Sequence, residues 1–106
     1  MVYTSRIAGG SATVKTQGKG GPVQLKNLIQ GGPWPGVPCK ALTVRNPGSG
    51  LVTNTTSIKV GANGSAGFEL VPGAVHTLEN VVPENCAVDD LGTAVTIYVS
   101  WGGEPA

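Results

Sequence analysis

The chain has 106 residues, of which 40% are hydrophobic and 12% charged, and its formal net charge is +1. A chain of this size forms one domain and buries roughly 60–70% of its unfolded surface, so its stability margin is thin. That apolar content excludes a disordered protein, and no apolar run reaches the roughly 18 residues that a membrane span needs.

The first 37 residues read as an extended arm. Glycine takes 10 of its 17 positions and proline 5 of its 8 within residues 1–50. Such a stretch offers few side chains to pack and is costly to order alone. SRIAGGSATVKTQGKGGP and QGGPWPGVP carry only short extended pieces, such as ATVKT. Trp34 lies between two prolines, so it suits either a cap on the core or an anchor for a partner's pocket. PVQLKNLIQ (22–30) fits a helix, with proline at its first position and Leu25, Leu28 and Ile29 at helical spacing; it fits a strand equally. No apolar segment in the N-terminal region has the form of a secretory signal, so synthesis in a cytoplasm is expected.

From residue 38 the chain reads as a β domain, 38–106. KALTVRN (40–46) puts Leu42 and Val44 on one face, and NPGSG is a turn. LVTNTTSIKV (51–60) is β-branched almost throughout, and Asn63-Gly64 signals a tight hairpin. GFELVPGAVHTLENV reads as two strands joined as a hairpin, with Pro72-Gly73 matching the centre of a type II turn. NCAVDDLG reads as another turn. In AVTIYVSWG, Val95, Ile97, Val99 and Trp101 alternate strictly with polar residues or Tyr98, which is the period of a half-buried strand. The expected fold is all-β: a small antiparallel β-sandwich or jelly-roll-like barrel with an extended Gly/Pro-rich N-terminal arm.

The small net charge conceals an asymmetry. Residues 1–50 carry Arg6, Lys15, Lys19, Lys26, Lys40 and Arg45 and no acid, whereas residues 51–106 carry Lys59 against six acids. A cationic arm would dock on an acidic partner. Arg6, Lys15, Lys19, Lys26 and Trp34 are therefore the candidate partner-binding residues, and deletion of residues 1–20 is expected to spare the core.

Catalytic chemistry is hard to assemble from this chain. The single histidine, His76, sits in an apolar run, and no serine lies in a GxSxG elbow. GKGG (18–21) lacks the hydroxyl residue and the upstream glycine of a phosphate loop. Glu84, Asp89 and Asp90 cluster without an EF-hand pattern, so turn formation accounts for them better than calcium does. Cys39 and Cys86 form no CxxC; buried thiols are the plainer expectation and a disulfide the alternative. Too few ligand types are present for zinc. NTT and NGS are glycosylation sequons in form only. Five aromatics give no stacking platform for single-stranded nucleic acid, and the basic residues are too dispersed for duplex DNA. No catalytic residue, metal or cofactor is expected.

LTVRNPGSG, SIKVGANGSAGFELVPGAVHTLENV and the terminal AVTIYVSWG resemble the small head-decoration or cement proteins of tailed phages. The resemblance covers about 60% of the chain and is one of pattern. It implies a non-enzymatic virion protein on the capsid surface that binds the major capsid protein and neighbouring copies of itself, with three-fold self-association suiting such placement. It implies neither a membrane nor a nucleic-acid partner. The alternative is a carbohydrate- or receptor-binding sandwich of the tail or adhesin type, with Trp34, Tyr98 and Trp101 as an exposed platform.

Overall fold

The computed structural model describes residues 9–32 and 34–104. Eight strands run through them: β1 Gly10–Lys15, β2 Val23–Gln24, β3 Cys39–Arg45, β4 Ile58–Gly61, β5 Phe68–Leu70, β6 Val75–Val81, β7 Ala87–Asp89 and β8 Thr96–Gly102. One helical turn, α1 Leu25–Leu28, and a 3₁₀ turn at Pro83–Asn85 complete the elements. The strands form two four-stranded sheets, ordered β1-β8-β3-β6 and β2-β7-β4-β5, with every pairing antiparallel. The pairing is nested, first strand with last, second with seventh, third with sixth and fourth with fifth. An antiparallel ribbon wrapped in this way is an eight-stranded jelly roll, the double Greek-key form of a sandwich.

Alternation along the strands fills the space between the sheets. Val14, Leu42, Val44, Ile97, Val99 and Trp101 face inward from the first sheet, and Ile58, Val60, Leu70 and Val88 from the second. β8 behaves as its period of two demands: Ile97, Val99 and Trp101 are buried, and Ser100 is exposed. β6 breaks its alternation near the end. Asn80 takes φ 52, which asparagine adopts more readily than most residues, so Glu79 and Asn80 are both exposed and Val81 turns into the core.

Four expectations are corrected. The arm expected over 1–37 contributes strands β1 and β2 to the sandwich. β1 pairs along its length with β8, from Gly10↔Trp101 to Lys15↔Thr96. Val14 and Leu25 are fully buried, and the Leu25 amide donates to Cys86 O at 2.9 Å. The packing therefore does not divide at residue 37. The segment reads as an arm locally because its ladder partner lies some 80 residues away.

Strand structure within 51–60 begins only at Ile58. Residues before it follow side-chain hydrogen bonds instead, with Asn54 Nδ2 donating to Asn46 Oδ1 and Thr96 O, each at 2.8 Å. The segment expected as a turn at NCAVDDLG contains β7, an inner strand between β2 and β4. The fourth correction concerns the Pro-Gly element. Its turn type holds: Ala74 N donates to Val71 O at 3.0 Å with Gly73 at φ 89, the geometry that needs glycine at the third position. Its strands, however, belong to different sheets, so β5 and β6 form a corner across the sandwich. The Asn63-Gly64 turn does close a true hairpin, β4–β5, with both residues at positive φ as a type I′ turn requires. Residues 22–30 resolve their ambiguity by being both, a two-residue strand and then one helical turn.

Candidate interaction surfaces

Two polar knots hold the loops. The first is Asp90, 5% exposed, at the turn between β7 and β8. Its Oδ2 accepts the Gly18 N–H at 2.7 Å, and its Oδ1 accepts those of Gly20 and Gly92, each at 3.0 Å. Gly18 and Gly20 sit at φ 78 and 70, left-handed conformations in a segment whose alternate amides converge on one carboxylate. GKGG thus is an anion cradle whose anion is a carboxylate of the same chain. Burial pushes the Asp90 carboxyl upward in pKa, but the Thr16 hydroxyl and the Gly92, Gly18 and Gly20 amides outweigh it and hold it below the ordinary value.

Asn46 is the second knot, fully buried at the end of β3. Its Nδ2 donates to Thr56 O at 3.1 Å and Leu70 O at 2.8 Å, and its Oδ1 accepts from Asn54. Its backbone donates to Ala74 O at 3.1 Å and accepts from Gly73 N at 2.6 Å. All of its polar groups are used, which satisfies the requirement for burying them. The β5–β6 corner is consequently fixed to β3 at both its ends.

That corner is apolar outside. Phe68 and Val71 are each about half exposed, and Leu51, on the loop that also leaves Asn46, is wholly exposed. Phe68 stacks on His76 with ring centroids 3.8 Å apart and planes 8° apart, closing the β5/β6 side of the sandwich. This gives His76 a packing role.

The predicted partner-binding residues are placed unequally. Arg6 lies outside the described residues. Lys15 is exposed at the end of β1, Lys19 on the Asp90 cradle and Lys26 on α1. Trp34 is only half-buried, but it is engaged within its own chain. Its indole N–H donates to Ile29 O at 2.9 Å, and its ring lies 5.1 Å from that of Trp101. Trp101 is buried within the sandwich, whereas Tyr98 alternates to the opposite face of β8. The three rings do not form one platform.

Cys39 and Cys86 are free thiols, both buried. Burial, with a smaller contribution from the nearby Glu84 charge, raises both, and Cys86 is pushed up to about 11. At pH 8 about one Cys86 in a thousand is then thiolate, so iodoacetamide should alkylate it rapidly only after denaturation. Mass spectrometry checks this, and fast labelling of the native protein would contradict the burial. The acids separate as well: Asp89 Oδ1 accepts the Leu91 amide at 2.8 Å, forming the turn with Asp90. Among the described residues no group of three or more His, Cys, Asp or Glu could hold a metal ion, and no helix is long and apolar enough to cross a membrane.

The outer faces of the two sheets differ in chemistry. On the second, cross-strand register sets Lys59 between Glu69 and Asp89. On the first, one row is Ser11, Ser100, Thr43 and Thr77, with Thr43 and Thr77 hydroxyls 3.2 Å apart. The adjacent row is Thr13, Tyr98, Arg45 and Val75. A groove of about 480 Å³ runs over these rows on β1, β8 and β3 and reaches β6 at Val75. The knots and the corner were not legible in the sequence, because a single Asp or Asn gives no signal of burial without its distant partners. No protein-family model matches the chain, and no curated protein matches it.

Proposed function

We propose that the protein is a non-catalytic structural component of a multi-copy shell, of the head-decoration or cement type, binding the major capsid protein through its sandwich surface. The observation that carries this reading is the β5–β6 corner. Phe68 and Val71 present apolar surface on a corner that Asn46 fixes through Leu70 O, Gly73 N and Ala74 O, so little ordering cost remains when a partner covers them. Exposed Lys15, Lys19 and Lys26 add positive charge for an acidic partner. Jelly rolls recur in viral capsid domains, which agrees with the reading by analogy of fold. A small domain that binds in its folded form also gains stability from the shell.

The test is co-sedimentation with undecorated phage heads, read together with their thermal stability. The native protein should bind and raise the disruption temperature, and Val71→Asp should weaken binding at least about tenfold by charging the apolar contact. Val71 is exposed, so that variant should keep the native fold. Heads that neither bind the protein nor change in stability would refute the proposal, as would undiminished binding by the variant.

A further inference from the structure

We infer that the groove on the outer face of the β1-β8-β3-β6 sheet is a binding site for a carboxylate-bearing saccharide. This site adjoins the apolar corner at Val75 but includes neither Phe68 nor Val71, and it does not depend on the capsid reading. Its volume, about 480 Å³, falls within the roughly 300–1,000 Å³ of small-ligand sites. Its chemistry is specific. Of the hydroxyl row, Ser11, Ser100 and Thr43 line the groove, and serine and threonine hydroxyls both donate and accept, as sugar hydroxyls require of a partner. In the next row, the half-buried Tyr98 stands between Thr13 and Arg45, with exposed Val75 at its end. The Tyr98 ring offers a flat apolar surface of the kind against which the C–H face of a pyranose packs.

Charge selects the class of sugar. Arg45 is exposed at the end of β3 and is the single charged residue in the two rows, and no acid shares them. Lys15 continues the same face beyond Thr13 on β1. A guanidinium binds a carboxylate through two parallel hydrogen bonds, a geometry that a neutral sugar cannot use. On the opposite sheet Lys59 stands in register between Glu69 and Asp89, so that face does not present a cation apart from acids.

The experiment is a two-dimensional NMR titration of the intact protein with sodium glucuronate and 3′-sialyllactose, with lactose and sodium acetate as controls. Both acidic sugars should produce saturable shifts at the Thr43, Arg45, Tyr98 and Ser100 amides, at least about tenfold tighter than lactose. Arg45→Gln, at an exposed position, should remove that preference, and Tyr98→Ala should weaken both sugars. No saturable shift in this set, equal binding of lactose, identical shifts with acetate, or full binding by Arg45→Gln would each overturn the inference. Failure here leaves the shell-binding result untouched, since Val71 and the corner are read in a different assay.

Discussion

A chain lacking residues 1–20 will not hold the native sandwich. The deletion removes β1, exposes the edge of β8 and withdraws Val14 from the core, which alone costs about 1.5–3 kcal/mol of apolar burial. It also removes Thr16, whose amide donates to Val95 O at 2.9 Å and whose hydroxyl accepts the Val95 amide at 2.9 Å. Asp90 is then left buried without the Gly18 and Gly20 amides, and an unsatisfied buried partner costs roughly 1–3 kcal/mol, more for a charge. Together these losses are comparable with the ~5–15 kcal/mol that stabilises an ordinary domain. Circular dichroism and NMR of the truncated protein should show a collapsed or unfolded chain. A cooperative melt within a few degrees of the full-length protein would show that the leading segment is dispensable, as its composition suggests.

Asp90→Ala carries the second large effect. Three backbone N–H groups lose their acceptor; those of Gly18 and Gly20 are partly buried and that of Gly92 is exposed, so water replaces part of what is lost and a loss of about 1–3 kcal/mol is expected, or roughly 4–15 °C in melting temperature. Asp90→Asn keeps one oxygen but turns an amide donor toward those N–H groups, and it should fall between the two proteins. The pH dependence follows from the depressed carboxyl. Its stabilising contribution is complete above the unfolded value of an aspartate, about 3.9, and is lost as pH falls through the lower folded value. Native protein should therefore lose stability on acidification below about pH 4, and Asp90→Asn should lose less. Equal acid sensitivity of the two proteins, measured by urea titration across this range, would remove Asp90 from the account.

The parts of the fold that were legible in the sequence are those written locally. β8 declares itself by Val95, Ile97, Val99 and Trp101, and the Asn63-Gly64 and Pro72-Gly73 turns by their backbone requirements. What escaped is written across distance. β1 places Val14 deep inside and sets Ala12 only partly buried beside it, too little for a periodic signal; its stability comes from the β8 ladder. β7 is three residues long and follows a 3₁₀ turn, so only its two flanking strands identify it. Residues 51–57 have strand composition but answer to Asn46 and Asn54, whose hydrogen bonds a propensity scale does not contain. The Pro-Gly corner shows the same division, since its turn type is local and the destination of its strands is not. Of the predicted surface residues, Lys15, Lys19 and Lys26 are exposed, and the Trp34 ring is spent largely on Trp101.

This account stands on residues 10–28 being part of the jelly roll before any partner arrives. Native-state hydrogen exchange of the free protein measures that directly, at the Thr16, Gly18 and Leu25 amides, whose acceptors are Val95 O, Asp90 Oδ2 and Cys86 O. They are predicted to exchange with the same opening free energy as amides of the central strands β3 and β8. Exchange at those three amides near the rate of an unstructured chain, while β3 and β8 stay protected, would contradict it.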